Sequence, residues 1–381
     1  MSIILNSKPM TPVEEKYINQ ARAFAAEKVA PYAEAWETAH IQDEETLREA
    51  IALFSKCVVS KDLGGFGCSK MTIVRIMEEM AKADIGFALA LAVHNITTLS
   101  IAAIDNAELR DRYLPKMLTG EKIGGLCLTE PEAGSDAAAI QTTAVSREGK
   151  WILNGTKAWV THSEHADVFI VFAQSGNTAR DIVGFVLDRE TPGLEFVKRY
   201  DLIGGHGMNA GEFRLEHCCI EEKQLAFPAG LGFKAAMGSI DVARLGIAAI
   251  ANGAVWNCLE VADCYLNTRK AFGKALIANQ GLQWKMADAL TNLESSRMLT
   301  FLAAQIMDEG LHATTAVSHS KKYAVKTAYE GATTAMQMLG ANGLRRDCPI
   351  ARQLSGIAVT YDTDGTNDIC NVVISRTLIN R

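Results

Sequence analysis

The sequence predicts an α+β fold in which a small β domain lies between two helical domains. Apolar residues recur at helical spacing towards both ends of the chain, whereas short β-rich runs separated by Gly and Asn turns fill only the middle. No proline occurs between Pro228 and Pro349, which permits long uninterrupted helices there. Helices followed by strands and then by helices are typical of the α+β class.

The N-terminal domain is expected over residues 1–121 and is helical. Residues 11–14 (TPVE) form a capping box with a proline at the first helical position. Further helical patterns cover residues 43–54, 70–82 and 107–118. These helices are expected to form one unit before the β-rich region begins.

The middle β domain is expected over residues 122–226 and the last helical domain over residues 227–381. Strands are predicted in the middle domain at 168–172, 182–187 and 194–197. In the last domain, apolar residues recur at helical spacing over 245–262, 284–293 and 324–339. Long helices that each carry an apolar stripe predict a helix bundle.

Composition narrows the classes of partner and compartment. The chain has 381 residues, of which 48% are hydrophobic and 22% charged, and its formal net charge is −6. This length predicts two or three domains, and the acidic excess does not suit a nucleic-acid partner. The sequence has no basic start followed by an apolar stretch and no apolar run near ~20 residues, so we expect a cytoplasmic protein without a membrane span. Nine cysteines without a CxxC pair are expected to be reduced, and no metal site is predicted.

Two segments of the middle domain have compositions that suit ligand binding. Residues 126–136 (LCLTEPEAGSD) leave a predicted strand through a turn rich in small and hydroxyl residues, and such a turn exposes backbone N–H groups. Residues 154–161 (NGTKAWVT) follow at the spacing of a returning hairpin and carry Trp and Thr two residues apart. From the residues alone, a plain surface turn and a core tryptophan explain these segments as well.

Five segments together resemble the acyl-CoA dehydrogenase family over essentially the whole chain. In chain order they are TEPEAGSD (129–136), NGTKAWVT (154–161), RKAFG (269–273), QMLGANG (337–343) and DGT (364–366). The resemblance implies an N-terminal helical domain, a middle β-barrel or sheet domain and a C-terminal four-helix bundle. It also implies FAD as the cofactor, bound with an acyl thioester in a homotetramer or homodimer.

The resemblance assigns cofactor and substrate contacts to particular positions. The implied FAD contacts are Leu126, Leu128, Thr129, Gly134, Ser135, Trp159, Thr161, Arg269, Phe272, Gln280, Gln337, Gly340, Thr366 and Asp368. Within this set, Trp159 and Thr161 would cover the flavin ring, whereas Arg269 and Phe272 would reach the FAD of a neighbouring subunit. The implied substrate contacts are Ser135, Asp241, Arg244 and Gly365. A buried structural Asp–Arg pair explains Asp241 and Arg244 nearly as well.

The resemblance implies that a carboxylate removes the α-proton of the thioester, and the matching residue is Asp364. The family's commonest base is a Glu directly before Gly-Thr, and the family's second position for a base is Ala243 here. An aspartate is one methylene shorter, and a misplacement of about 1 Å costs on the order of a hundredfold in rate. Asp362 and Asp368 are close in sequence, so we expect like-charge repulsion to raise one carboxyl pKa. The alternative is that Asp364 only caps the last helix.

The substrate side departs from the family more than the flavin side does. Ser355-Gly356 replaces a usual Arg-Asp pair, Thr363 replaces a tyrosine, and the loop around His206 lacks the usual Arg. His206 fits either a polar substrate contact or a loop histidine without a binding role. Residues 84–99 are expected to lie along the acyl tail. Their polar members either meet a polar acyl group or only pack the helix: His94, Asn95 and Thr97.

The leading hypothesis is FAD-dependent dehydrogenation of an acyl thioester to the 2-enoyl thioester, with hydride transfer to flavin N5. The carrier is either CoA or an acyl carrier protein, and the electrons pass to an electron-transfer flavoprotein or to oxygen. Two alternatives keep the fold: a non-oxidative lyase or desulfinase-like activity on an acyl-CoA, and a non-catalytic homologue that forms assemblies. A carboxylate at position 364 argues against both alternatives.

Overall fold

The computed structural model describes residues 11–379, and its first third is helical as the sequence predicts. The helices are α1 (Pro12–Phe24), α2 (Ala33–Ala39), α3 (Glu44–Phe54), α4 (Lys70–Ala83), α5 (Ile85–Ala102) and α6 (Ala107–Leu118). The predicted capping box is present, because the Thr11 side chain accepts from the Glu14 N–H and the Glu14 carboxylate accepts from the Thr11 N–H. The bounds of α3, α4 and α6 also confirm the helices predicted over 43–54, 70–82 and 107–118, to within one residue at each end.

The middle of the chain forms an eight-stranded sheet. Its strands are β1 (Gly124–Cys127), β2 (Thr143–Arg147), β3 (Lys150–Val160), β4 (Val168–Gln174), β5 (Ile182–Asp188), β6 (Leu194–Arg199), β7 (Gly211–Glu221) and β8 (Leu225–Phe227). The strand order is β6-β7-β3-β2-β4-β5-β8, and β1 lies off this path and pairs in parallel with β4. Because β4 and β5 are buried on both faces, they have the continuous apolar sequences that predicted strands there.

The proline-free interval forms three long helices. They are α7 (Gly232–Thr268), α8 (Gln280–Asp308) and α9 (Thr314–Met338), with 37, 29 and 25 residues. A short hairpin of β9 (Lys270–Ala271) and β10 (Lys274–Ala275) joins α7 to α8. Two further helices, α10 (Pro349–Val359) and α11 (Asn367–Ile379), pack on α9 and complete the C-terminal helical region.

Helix α7 is the common core of the two helical regions. It packs against α4 and α5 of the N-terminal region and against α8, α9 and α10 of its own region. The approach to α4 is closest at Gly253, where an added Cβ would lie 2.2 Å from the carbonyl oxygen of Glu78. A buried ion pair joins α8 to the same residue of α4, because Arg297 Nε lies 2.9 Å from Glu78 Oε1. The α7–α4 contact therefore fixes how the two helical regions meet.

Two helices are long and apolar enough to cross a membrane by length and composition alone. They are α5 and α7, whose most apolar windows have mean hydropathies of 1.7 and 1.4. The expectation that no apolar run reaches such a length was therefore too strict. However, 83% and 72% of these windows are buried inside the protein, as is usual for core helices.

Replacing Gly253 by alanine is expected to lower the free energy of unfolding by about 1–3 kcal/mol, because the new methyl group overlaps the α4 backbone. Gly238→Ala in the same helix is the matched control, since nothing lies within 4 Å of its added Cβ. Alanine there is expected to be neutral or stabilising. Urea denaturation of both variants checks this, and equal midpoints would contradict the close α7–α4 approach.

Candidate active site

Asp364 lies in the turn between α10 and α11, where the backbone takes an unusual shape. Asp364 and Gly365 have consecutive positive φ angles of 56° and 90°. A Cβ on Gly365 would lie 3.0 Å from Nη2 of Arg244, so glycine is required there by both conformation and space. The cap of α11 is Thr366, whose Oγ1 accepts a hydrogen bond of 3.1 Å from the N–H of Ile369. The alternative that Asp364 caps this helix is therefore wrong.

Two buried cations hold the turn from inside. Arg244 of α7 donates from Nε to the carbonyl oxygen of Asp364 at 3.2 Å. Lys321 of α9 donates from Nζ to the carbonyl oxygens of Tyr361 and Gly365, at 2.8 and 3.0 Å. Among residues 11–379, no hydrogen bond involves the carboxylate of Asp364 or its backbone N–H. Both groups therefore remain available to a ligand.

Burial raises the pKa of Asp364 to about 6, although Lys321 and Arg244 act in the opposite direction. The expected cause was repulsion by Asp362 and Asp368, and that expectation is wrong because both of these side chains are exposed and neither contributes. A carboxyl with a pKa near 6 is largely ionised at neutral pH and still binds a proton well. That balance suits a general base.

An apolar pocket lies between α4, α5 and α7, with ≈ 470 Å³ of empty space including its open mouth. Its lining residues are Val58, Lys70, Ile73, Val74, Met77, Ala92, Asn95, Ile96, Leu99, Val242, Leu245 and Gly246. Val242 and Leu245 lie in the same turn of α7 as Arg244, which bonds to Asp364. At about 100° per residue, Arg244 projects from the side of α7 opposite to Val242 and Leu245, so one turn of this helix contacts both the pocket and the Asp364 turn.

Of the three polar residues predicted along the acyl tail, only Asn95 lines this pocket. Its Oδ1 accepts a 2.7 Å hydrogen bond from Ser55. His94 is used in packing instead: its Nδ1 lies 3.1 Å from the N–H of Gly124, and burial lowers its pKa to about 3. Thr97 donates to the carbonyl of Val93 within its own helix. Helix packing is therefore the role of His94 and Thr97.

The loop after β1 and the end of β3 are joined by a buried ion pair. Lys157 Nζ lies 2.6 Å from Glu130 Oε1 and donates to the Leu128 carbonyl at 3.0 Å. Glu130 also accepts from the backbone N–H groups of Gln141 and Thr142. Burial lowers the pKa of Lys157; burial also acts to raise that of Glu130, but Lys157 and the hydrogen bonds lower it overall. The pair thus fixes the loop that contains Leu128 and Thr129 and follows β1, the strand in which Leu126 lies.

Trp159 projects beside this loop rather than into the core. The residue is 57% exposed, its φ is 60°, and its ring centroid is 4.5 Å from that of Tyr200. The Ala158 N–H donates to the Thr129 carbonyl, which places the loop and the tryptophan side by side. The N–H groups of Thr129 and Ser135 donate to no other residue in 11–379. The exposed ring of Trp159 lies beside the unused N–H donor and the hydroxyl of Thr129, and this combination fits a flavin.

The predicted FAD contacts of the helical region lie at one end of it and are exposed. They are Arg269, Phe272, Gln280, Gln337 and Gly340, whereas the two other predicted contacts of this region, Thr366 and Asp368, lie at the start of α11. Phe272 is 97% exposed in the β9–β10 hairpin, and Asn342 after α9 donates to the hydroxyl of Tyr265 near the end of α7. The structure thus brings the α7 end and the α9 end together. A cation, amides and an uncovered aromatic ring suit a ligand shared with a second chain.

The departures around His206 are packing features. An added Cβ on Gly204 would lie 2.4 Å from the Ser355 side chain, and one on Gly356 would lie 2.0 Å from Ile85. Small residues at 355 and 356 therefore allow α10 to approach this loop and α5 closely. His206 is half-buried, its ring stacks on that of His40 with the centroids 3.7 Å apart, and its Nδ1 lies 3.0 Å from Glu37 Oε1. These contacts favour a loop histidine without a binding role, which stays a prediction.

Three potential metal-ligand atoms, from His40, Asp201 and His206, lie within 4.8 Å of one another. The two imidazole rings are parallel to within 10°. Their in-plane lone pairs therefore do not converge on one ion in this arrangement.

The predicted substrate contact Asp241 has partners within the protein. Asp241 accepts a short hydrogen bond from Thr314 and lies 3.7 Å from Nη1 of Arg244, so a structural Asp–Arg contact is present. Sequence reasoning missed Lys321 and the Lys157–Glu130 pair. The available signal for Lys321 was a lysine inside an apolar helical stripe, together with Val317, Ala324, Val325 and Ala328.

The fold and this site define a flavin-dependent oxidoreductase with three domains, and comparison with known proteins agrees. The descriptions "Acyl-CoA dehydrogenase, N-terminal domain", "middle domain" and "C-terminal domain" match residues 11–121, 125–218 and 230–379. The chain belongs to the acyl-CoA dehydrogenase family. It is an FAD-dependent enzyme that acts on the CH–CH group of an acyl thioester.

Relatives match along nearly their whole length. An acyl-CoA dehydrogenase of Bacillus subtilis is 32% identical over 94% of this chain and 96% of that protein. The butyryl-CoA dehydrogenase structure from Megasphaera elsdenii has a TM-score of 0.95 and 29% identity, covering 98% of this chain and 99% of that one. The FAD complex of PigA has a TM-score of 0.93 and 26% identity, covering 97% and 98%.

Lys157→Met is expected to destabilise the protein by about 3–5 kcal/mol, because it leaves the Glu130 carboxylate buried without its partner. It is also expected to weaken FAD retention, since the loop at Leu128 and Thr129 loses its anchor. Lys150→Met on the same strand is the control, because Lys150 is exposed. Urea denaturation and FAD titration of both variants check this. Identical behaviour of the two would show that the ion pair does not hold the loop.

Proposed function

We propose that Asp364 is the base that removes the α-proton of an acyl thioester while the β-hydrogen leaves as hydride. The observation that carries this proposal is a carboxylate without a hydrogen-bond partner among residues 11–379, in a strained turn bonded to helix α7, which also lines the apolar pocket. Burial gives this carboxyl a pKa of about 6. The product is the 2-enoyl thioester.

The backbone N–H of Asp364 has a second role in this proposal. Loss of the α-proton places negative charge on the thioester oxygen, and donors aimed at that oxygen stabilise the transition state. The Asp364 N–H is unused by other residues in 11–379 and moves with its own carboxylate. One residue therefore supplies a base on one side of the acyl carbons and a donor for the carbonyl.

The acyl chain is proposed to enter the pocket between α4, α5 and α7. The wall is almost entirely apolar, so it favours hydrocarbon over water. Because Asp364 is one methylene shorter than the usual Glu, the α-carbon has to bind about 1 Å closer to the turn than with Glu.

FAD is proposed to bind the residues that the family motifs mark, and its chemistry when bound is acceptance of the hydride. Thr129, Ser135, Trp159 and Thr161 would hold the ring. The others would hold the ring's surroundings or the dinucleotide: Leu126, Leu128, Gly134, Arg269, Phe272, Gln280, Gln337, Gly340, Thr366 and Asp368. Ser135, Asp241, Arg244 and Gly365 would contact the thioester.

A second copy of the chain and an external electron acceptor complete the proposal. Phe272 and Arg269 are exposed at the end of the bundle, where a neighbouring subunit's FAD would cover them, so we propose a homotetramer or homodimer. The acceptor is proposed to be an electron-transfer flavoprotein, the carrier is CoA or an acyl carrier protein, and the location is cytoplasmic. The retained base, donor and pocket argue against a non-catalytic homologue or a non-oxidative lyase.

Asp364→Asn is expected to reduce the rate of flavin reduction by about 10²–10⁴-fold, since it removes the proton acceptor. Asp362→Asn is the matched control, because Asp362 is exposed two residues away. Stopped-flow absorbance of the flavin after anaerobic mixing with a panel of acyl-CoA and acyl-carrier-protein thioesters measures both. Equal losses in the two variants, or none in Asp364→Asn, would exclude Asp364 as the base.

The rate of flavin reduction is also expected to depend on pH in one direction. The active form of Asp364 is ionised, so the rate should be full well above pH 6 and should fall as the pH drops through about 6. Reduction rates measured from pH 5 to 7.5, below the pKa of Lys321, test this. A rate that rises on acidification would contradict a carboxylate base.

A further inference from the structure

Lys321 bonds to the backbone on both sides of Asp364. Its Nζ donates to Tyr361 O at 2.8 Å, to Gly365 O at 3.0 Å and to Asn367 Oδ1 at 3.2 Å. An ammonium group has three protons, so this one turn uses its full donor capacity. A lysine with a fully buried side chain is stable only when its donors are satisfied. The burial of Lys321 and the shape of the turn therefore depend on each other.

We propose that Lys321 is a positioning residue for the reaction: it holds the turn so that the Asp364 carboxylate faces the acyl carbons, and its charge keeps that carboxylate ionised. This inference rests on the proposed role of Asp364. Lys321 itself points to backbone carbonyls and an amide and takes no part in proton transfer. Its effect reaches the substrate only through the turn.

Lys321 and Arg244 make different hydrogen bonds to the turn. Arg244 reaches the turn from α7 and bonds to one carbonyl, that of Asp364 itself. Lys321 reaches it from α9 and bonds on both sides, so it clamps the two left-handed residues between two fixed carbonyls. Left-handed backbone costs about 1–2 kcal/mol for a residue with a Cβ, so an unclamped turn would relax.

The positive charges around the turn also favour the ionised form of Asp364. The charged or titratable groups near Lys321 and Asp364 are Arg244 and Asp241 on α7, Asp362 in the turn and Cys370 on α11. Lys321 and Arg244 lower the Asp364 pKa, and burial lowers the pKa of Lys321 to about 8. Removing the charge of Lys321 while keeping Arg244 is therefore expected to raise the Asp364 pKa.

Two variants separate position from charge. Lys321→Met removes both the hydrogen bonds to the turn and the positive charge, and it is expected to lower kcat by roughly tenfold or more with little change in KM. It should also speed hydrogen exchange of the segment 360–368. Lys321→Gln keeps amide donors but loses the charge, so its main effect should be to move the acidic limb of the pH–rate profile up by about one unit. Lys322→Met, the next residue on α9, is the control and should match the wild type.

A spectroscopic titration makes the test independent of turnover. Proteins labelled with ¹³C in the aspartate carboxyl carbon are titrated by NMR, and Asp364→Asn identifies the signal of Asp364. An upward shift of the Asp364 titration in Lys321→Gln, and not in Lys322→Met, supports the proposal. An unchanged titration in Lys321→Gln together with unchanged exchange over 360–368 in Lys321→Met would overturn it. If Lys321→Met does not fold, Lys321→Gln alone decides through its titration. If no thioester reduces the wild-type flavin, the proposed function fails, but these readouts still judge Lys321.

Discussion

The site depends on a turn that cannot hold its shape alone. Asp364 and Gly365 adopt successive left-handed conformations, and the hydrogen bonds that stabilise them come from α7 and α9, far away in sequence. Helix α7 is fixed in turn by its close approach to α4 at Gly253. Because the apolar pocket lies between α4, α5 and α7, the same helix contacts set the pocket and the base together.

The loop on the flavin side is held in the same way as the turn that carries Asp364. In the middle domain the buried Lys157 donates to the Leu128 carbonyl and pairs with Glu130, and in the helical domain the buried Lys321 donates to two carbonyls of the Asp364 turn. A buried ammonium strongly favours the one loop conformation that satisfies it. Both loops are therefore held by interior charge, which leaves the N–H groups of Thr129, Ser135 and Asp364 and the Asp364 carboxylate to ligands.

Much of the fold follows from local patterns. Helical periodicity and proline placement predict α7, α8 and α9, and the continuous apolar runs predict β4 and β5, because these patterns report which faces are buried. The five motifs in register, which end with DGT, single out Asp364. The positions of such residues are readable because their type and spacing carry the chemistry.

The sequence does not show in the same way what determines the pKa values and contacts of these residues. The pKa of Asp364 is raised by burial and not by its sequence neighbours Asp362 and Asp368, since burial is a property of the assembled helices. Lys321 bonds mainly to carbonyls some 40 residues away, and a carbonyl carries no residue type for sequence to show. Ser355-Gly356, which looks like a lost polar pair, is a close contact between α10 and its neighbours.

Exchange of the substrate's α-protons tests the central claim most directly. An acyl thioester with sulfur at its third position has no β-hydrogen to lose, so only proton removal is observed. Incubated in D₂O with the FAD-bound protein, such a thioester is expected to gain deuterium at its α-carbon with the wild type and not with Asp364→Asn. Equal deuterium uptake with both proteins would contradict the assignment of the base.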